Sequence, residues 1–592
     1  MRHKIYFPPI MAGLLLSHSL LAAPESSEPI VVTATRTAQI ADETLAPVVV
    51  ITREEIEQSQ ATDVAELLRF HAGFDISRNG GPGQATSLFL RGTDSNHTLV
   101  MIDGVKINPG TIGGAALQNI SPDIIERIEI VKGPRSTLYG SEAIGGVINI
   151  ITRSAQPGTK ARGHYSTGKY NSRDYLFDLR HKDGDFRTGI SASFYETDGF
   201  PTRTASTVNR GYDNTTINSY IGTRVGPVDI EASFWDTSGN TEYLDFFLTP
   251  LDQDYENSVG SVSFKASPLD RWGTTLKLSH ITDKIDQNQS NDFAHTRRDA
   301  LDWQNDIQLG EKQLLTTGIL YTREKVSSII FGSGFNEDTS VKAAYLQDDI
   351  NIDRHHLLLA VRLTDHDSFN RHTSWNIEYG FRWTPATRIT ASAGTAFRAP
   401  DNTDRFGFGG NRDLNPETSR NLELGLRHTF NRHHAVNFNL FDNQIDDLIE
   451  FNTLSSRVEN IGSASIRGLE ANYIFNLQSW NLKVSGIIQD PQNDETHDRL
   501  LRRAKRSLSS TLSYNRTHYD LALDLLTTGN RKDFGGQLNG YTLINATAQI
   551  RPYKNWQASL KVENLLDEHY QLARTFNTAE RSFFLELGYR YP

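Results

Sequence analysis

The chain has 592 residues, no cysteine, a formal net charge of −11 and 37% hydrophobic residues. The lack of cysteine excludes a disulfide-stapled exported fold, and the acidic balance argues against nucleic acid as a partner. Beyond the first 22 residues no apolar run approaches the roughly 20 residues of a membrane helix, so composition leaves a large exported soluble protein or a β-barrel that crosses the bilayer with alternating strands.

Residues 1–22 read as a secretory signal peptide. Arg2 and Lys4 precede an apolar stretch through Met11, Leu14, Leu15, Leu16, Leu20 and Leu21 that ends in small residues. Cleavage after Ala22 is preferred to cleavage after Ala23, which would leave Pro24 first. Next comes Glu28-Pro29-Ile30-Val31-Val32-Thr33-Ala34-Thr35, strongly β-prone. It is either a first core strand or an extended peptide that adds to a partner's sheet edge.

A strand at 47–53 then leads to a helix capped by Asp63, with Glu66 at capping-box spacing and Val64, Leu67 and Leu68 as its apolar face. Gly73 is placed to end it. Short strands follow at 74–76, 88–91 and 98–102, with a polar loop at 79–87 and turns at Gly92-Thr93-Asp94 and Asp103-Gly104. The stretch 124–152, IIERIEIVKGPRSTLYGSEAIGGVINIIT, sets strands at 124–131 and 146–151 around Gly133-Pro134, Gly140 and Gly145-Gly146. These elements make one small α+β domain over 40–153. Its strands are unusually charged, carrying Arg91, Asp103, Glu126, Arg127, Glu129, Lys132 and Arg135. A soluble domain keeps such charges on a solvated face.

From 158 onward the pattern is period-two alternation, as in Trp556-Gln557-Ala558-Ser559-Leu560-Lys561-Val562-Glu563 and in Phe583, Leu585, Leu587, Tyr589 and Tyr591 against Glu586 and Arg590. The region 154–592, at roughly 20 residues per strand and connection, yields on the order of 22 strands. Trp235, Trp383, Trp480, Tyr553 and Trp556 are expected near strand ends, as interfacial girdles. Polar loops are expected at 197–216, 236–256, 283–292 and 399–419. No catalytic constellation emerges. The pairs His355-His356 and His433-His434 send their rings to opposite faces of a strand, and no Gly-rich phosphate loop, zinc pattern or nucleophile elbow stands out. An acidic group, Asp236, Glu242, Asp245, Asp252 and Asp254 in one expected loop with Asp213 in the preceding one, suits either calcium or plain surface charge.

The 124–152 stretch, with its Gly-Pro-Arg, x-x-Tyr-Gly and Gly-Gly-Val-Ile-Asn-Ile, resembles the end of the plug domain in TonB-dependent outer-membrane receptors. Further matches lie at Phe397-Arg398-Ala399-Pro400, Asp413-Leu414-Asn415-Pro416-Glu417, Gly468-Leu469-Glu470 and Glu563-Asn564-Leu565-Leu566-Asp567, so the resemblance covers nearly the whole mature chain. It implies an all-β transmembrane barrel of about 22 antiparallel strands with the α+β domain as a plug in its lumen, the plug's charges meeting a polar barrel wall. It also implies a transporter rather than an enzyme, in the outer membrane of a Gram-negative bacterium. Residues 28–35 become the TonB box, outer-membrane lipid and lipopolysaccharide surround the barrel, the barrel-assembly machinery inserts it, and it works as a monomer. The chain departs from the family in ending Tyr591-Pro592, where these barrels usually end in an aromatic residue.

Within the family the chain looks most like the cobalamin receptors. That likeness implies cobalamin or a related corrinoid as the transported ligand and no catalytic cofactor. It places ligand contacts on Ala85, Ser87, Asp94, Ile112 and Gly113 of the plug and on Arg502 and Phe534 of the barrel, and calcium on Asp213, Asp245, Asp252 and Asp254. Asp94 stands where those relatives carry an amide. The rival readings are a ferric siderophore or haem receptor of the same architecture and, from another class, a secreted β-rich adhesin or hydrolase.

Overall fold

The computed structural model describes residues 31–32, 36, 39–452 and 455–591; the expected signal peptide and residues 28–30 and 33–35 of the expected TonB box lie outside the described residues. Twenty-two antiparallel strands, from Gly158–Gly168 to Ser582–Tyr591, close into a barrel in which the first strand pairs with the last. Alternation fixes which way each side chain points. In Glu417–Asn431, Leu422 and Leu424 are 61% and 57% exposed on the outside while Asn421 and Glu423 are buried toward the lumen. Phe583, Leu585 and Leu587 repeat the pattern opposite buried Ser582. Such an outward apolar face is costly in water, at about 25 cal/mol per Å², and a lipid surrounding removes that cost.

Connections differ between the two ends of the barrel. One end has turns such as 184–185, 226–227 and 554–555, whereas the other carries 202–208, 399–416, 447–462, 494–505, 529–540 and 564–581. Trp383, Trp480, Tyr553 and Trp556 stand exposed at the short-turn rim. Trp235 does not join them. Strand parity sends Phe234 outward and Trp235 inward, where it is buried against the plug core from the middle of Val228–Leu244. The expected loops at 197–216 and 236–256 also contract. Strands Phe186–Pro201, Asn209–Val225, Val228–Leu244 and Pro250–Leu269 run through most of them, leaving 202–208 and 245–249. Polar side chains on both faces mark these parts as hairpin above the membrane rather than irregular chain. The loop at 283–292 shrinks likewise to 288–292, and 399–419 to 399–416.

Inside the barrel sits a five-stranded sheet, ordered Val48–Ile51, Ile125–Lys132, Gly146–Thr152, Thr98–Ile102, Val105–Lys106, with Thr98–Ile102 parallel to Gly146–Thr152. A hairpin, Phe74–Arg78 with Thr86–Leu90, stands beside it. The helix Arg53–Ser59 was not anticipated from sequence; Thr52 and Glu55 close a full capping box at its start, Thr52 N donating to Glu55 at 3.0 Å. Asp63 caps the second helix, Val64–Arg69, as expected, but the Glu66 side chain turns to Arg69 at 3.2 Å instead of completing a box. That helix stops at Arg69, so Gly73, at φ +90°, serves the turn into the next strand and not the cap.

The plug's charges divide into two sets. Arg91 reaches Glu423 at 3.2 Å and Glu470 at 2.9 Å on the barrel, Lys132 reaches Glu470, and Arg135 reaches Glu378. The expectation that all of them meet the wall is corrected by the others. Arg127 pairs with Glu129 at 2.8 Å, Glu126 with Arg153 at 3.7 Å, and Asp103 accepts from Thr152 at 2.7 and 2.9 Å, all within the plug. At the N-terminus, Val31–Val32 pairs with Gln39–Ile40. Arg36 between them donates to Leu138 O at 2.8 Å, Asp302 at 2.7 Å and Tyr345 at 3.0 Å.

Candidate functional site

Three plug turns face the long-loop rim. The first, between Phe74–Arg78 and Thr86–Leu90, holds Ala85, which is exposed, and borders half-buried Ser87. Its Gly83 has φ +71°, and a Cβ there would lie 2.0 Å from Tyr212 of the barrel, so only glycine fits. Gln84 donates to Glu242 O at 2.6 Å from the same turn.

The second turn carries Asp94 and leads into Ser95–His97. Ser95 accepts from Leu88 N at 3.2 Å, tying this turn to the first hairpin. The third, 109–114, is clamped by buried Asn108, whose side chain accepts from Val100 N at 2.7 Å and donates to Gly113 O at 2.8 Å. Ile112 is 50% exposed on it. Gly113 itself is buried, at φ +69°, with Asn96 2.9 Å from where its Cβ would sit. Its small size therefore serves the packing of the two turns, and Ile112 is the surface that this turn presents. The three turns make one continuous floor.

Barrel loops bind that floor from above. Asn402 N donates to Gly110 O at 3.0 Å and Thr403 N to Thr111 O at 3.0 Å, so loop 399–416 adds its backbone to the third turn. A buried relay joins it to the second. Asp94 N donates to Nδ1 of His97 at 3.2 Å, which leaves the His97 Nε2–H to donate to Glu417 at 2.8 Å. Glu417 also accepts from Arg398 at 2.7 Å, and Arg398 reaches Asp401 at 3.0 Å and Asp404 at 2.8 Å. From the opposite side, Arg503 of loop 494–505 pairs with Asp94, donates to Gly92 O at 3.2 Å and covers the Phe89 ring at 4.3 Å. Glu450, in the loop strand Ile449–Asn452, is pushed up to about 7 by burial and by the nearby Asp94 charge.

Arg502 and Phe534 are brought together, the guanidinium 5.2 Å from the ring centre. Asp533 organises them. It accepts from Arg502 at 2.8 Å, Phe534 N at 2.8 Å and Arg574 N at 2.6 Å, joining loops 494–505, 529–540 and 564–581. Burial opposes its charge, but these donors win and hold the carboxyl below the usual range. Phe534 remains 55% exposed, and Phe246 and Phe247 in 245–249 and Phe331 in 331–332 are more than four-fifths exposed elsewhere on the rim. A ligand resting on Ala85, Ile112 and Phe534 would touch plug and loops at once.

The acidic set proposed for calcium is divided. Asp252 accepts from Asn240 at 3.1 Å and from Asn288 and Gln289, and Asp254 shares Asn240 at 2.8 Å. Asp245 caps its own turn through Phe247 N and Thr249 N at 2.8 and 2.7 Å, and Asp213 lies on the neighbouring strand Asn209–Val225. Among the described residues, these four do not converge within 4.8 Å as a ligand group. Sequence reasoning missed Arg503, Asp533, Glu450 and the His97–Glu417–Arg398 relay. Arg398 and Glu417 lay inside motifs already matched, so a signal for two of them was present.

The plug-domain model of the TonB-dependent receptors matches residues 41–147, and the TonB-dependent receptor-like β-barrel model matches 138–565. The chain is 30% identical over 615 residues to the vitamin B12 transporter BtuB of Vibrio vulnificus, and 31% identical over 613 residues to that of Photobacterium profundum, covering 98% of this chain and of each relative. Among solved structures it is similar to the siderophore receptor PirA of Acinetobacter baumannii, with TM-score 0.80, 17% identity and 93% of this chain and 99% of that chain covered. It is equally similar to the FrpB iron transporter of Neisseria meningitidis, with TM-score 0.80 at 15% identity over 92% of this chain and 99% of that chain. Those two likenesses are of fold. With its closed 22-strand barrel, its lodged plug and both family models matched, the chain belongs to the TonB-dependent receptors, transporters of the Gram-negative outer membrane.

Proposed function

We propose that this receptor imports cobalamin or a related corrinoid, driven by TonB acting on residues 28–35. The observation that carries the reading is the 30–31% identity, along almost the entire length, to vitamin B12 transporters, against 15–19% to iron-related receptors of the same fold. The site supports it in kind. Exposed Ala85, Ile112, Phe534, Phe246 and Phe247 offer flat and apolar contact suited to a broad ring. The guanidinium groups of Arg398, Arg502 and Arg503 are each engaged by carboxylates. Calcium on Asp213, Asp245, Asp252 and Asp254 belongs to the same reading, and requires Asp252 to exchange its amide donors for the ion.

Isothermal titration of the purified receptor with cyanocobalamin, cobinamide and a ferric siderophore tests the ligand. Saturable binding of a corrinoid is the expected outcome. Binding of the siderophore alone overturns the assignment and leaves the transporter class standing.

A further inference from the structure

Between the plug and the wall, three side chains from plug and barrel converge on one point. Asp123 belongs to the plug turn Pro122–Ile124, His164 to the first barrel strand and Asp174 to the second strand, Ser172–Asp183. His164 Nε2 lies 3.1 Å from an Asp174 oxygen and 3.6 Å from an Asp123 oxygen, and all three atoms fall within 4.8 Å of one another. Ligand atoms on a tetrahedral ion with bonds of 2.0–2.1 Å stand about 3.3 Å apart, and the two measured separations bracket that spacing. Glu586 of the last strand faces the other ring nitrogen at 4.0 Å, on the side where a metal-bound imidazole presents its N–H to a carboxylate.

Arg53, Arg162, Arg173, Lys561 and Arg590 line the cavity around this point, but their ion pairs go to other acids: Arg173 to Glu196 at 3.0 Å and Lys561 to Glu563 at 2.6 Å. Glu57 is matched by Arg53, Arg162 and Arg590 at 2.8, 3.2 and 2.7 Å. Arg162 also donates to the Asp123 backbone carbonyl at 2.7 Å. Asp123, Asp174 and Glu586 are left to share His164. A second observation is independent of charge. Ser172, two residues before Asp174 and therefore on the same strand face, is 3% exposed, and its hydroxyl has no hydrogen-bond partner. Ser172, Asp123, His164 and Asp174 line one cavity of about 110 Å³ between plug and wall. A water needs roughly 10–15 Å³, so an ion and a bound water fit there.

We propose that Asp123, His164 and Asp174 bind a divalent transition-metal ion, with Zn²⁺ the best match to one imidazole and two carboxylates, and that the ion staples the plug to the first two barrel strands. A water or the Ser172 hydroxyl completes the coordination. The site shares no residue with the calcium candidates, which are all carboxylates, although Asp213 lies only one register step along from the level of Asp174.

The test uses the full receptor, stripped with chelator and titrated with Zn²⁺ by calorimetry and with Co²⁺ by visible absorption. One ion per chain is expected, Co²⁺ giving a tetrahedral spectrum that Zn²⁺ displaces. His164→Ala and Asp174→Asn should each weaken binding more than tenfold, and Glu586→Gln by about tenfold, while all three retain heat-modifiable barrel migration. X-ray absorption at the zinc edge of the unmutated protein gives a readout that does not depend on any variant folding. One nitrogen and two or more oxygens near 2.0–2.1 Å support the site. Absence of saturable binding at one ion per chain, or affinity unchanged in His164→Ala, overturns it.

Discussion

The carboxylate of Glu470, on the barrel strand Ser463–Leu477, holds the ammonium of Lys132 at the end of a plug strand, each side chain 1% exposed. Arg91 approaches the same carboxylate at 2.9 Å, so one barrel acid anchors two plug cations.

Removing that anchor leaves Lys132 buried without its charge partner, a loss of about 3–5 kcal/mol, softened because Arg91 keeps Glu423 at 3.2 Å. Glu470→Ala should therefore speed amide exchange along Ile125–Lys132 while the barrel strands keep their protection. Equal exchange in the variant and the parent rejects the anchor.

Val32 is fully buried and its strand pairs with Gln39–Ile40. Proline at this position removes a backbone donor and fixes φ. Val32→Pro is expected to abolish energised uptake into cells, with ligand affinity of the purified receptor unchanged. Normal uptake by the variant removes strand addition from the coupling step.

Calcium should matter through loop order. If Asp252 trades Asn240, Asn288 and Gln289 for an ion, chelation leaves the loops to be ordered by the ligand itself, and its affinity falls by about tenfold, or 1.4 kcal/mol. Asp252→Ala should reproduce the fall and make the receptor insensitive to chelator. The same Kd with and without chelator eliminates the metal.

Glu450 gives a pH signature. Its folded value of about 7 exceeds the ordinary 4.5, because burial and Asp94 disfavour its charge. The folded state thus binds the extra proton between those values. The associated stability is fully present below pH 4.5 and is lost as pH rises through 7, at most about 3 kcal/mol. Thermal unfolding should show the parent losing stability relative to Glu450→Gln across that window. A constant difference between the two at every pH assigns the group elsewhere.

Strand number was legible because lipid and lumen impose a two-residue period on the wall, whereas the lodging of the plug came only through the family resemblance of the 124–152 stretch. Trp235 escaped, since a tryptophan's type does not say which face parity assigns it. The polar strand ends at 197–201, 209–216, 236–244 and 250–256 escaped for a related reason: above the membrane, backbone pairing alone keeps a strand, and polarity then resembles a loop. In the site, Arg502 and Phe534 were found through motif likeness. Asp533, which positions both, was not, because its three donors come from segments as far apart in sequence as Arg502 and Arg574.

Closure of the first strand, Gly158–Gly168, on the last, Ser582–Tyr591, has a consequence for biogenesis. One flank of the opening strand must wait, unpaired, until the closing strand joins it. Over that interval it is an adhesive margin that any passing β-segment can occupy. Lys160, Arg162 and His164 punctuate it with basic side chains on its lumen side, the kind of inward charge that discourages mistaken partners. The same residues that line the finished seam therefore guard it while it is still open.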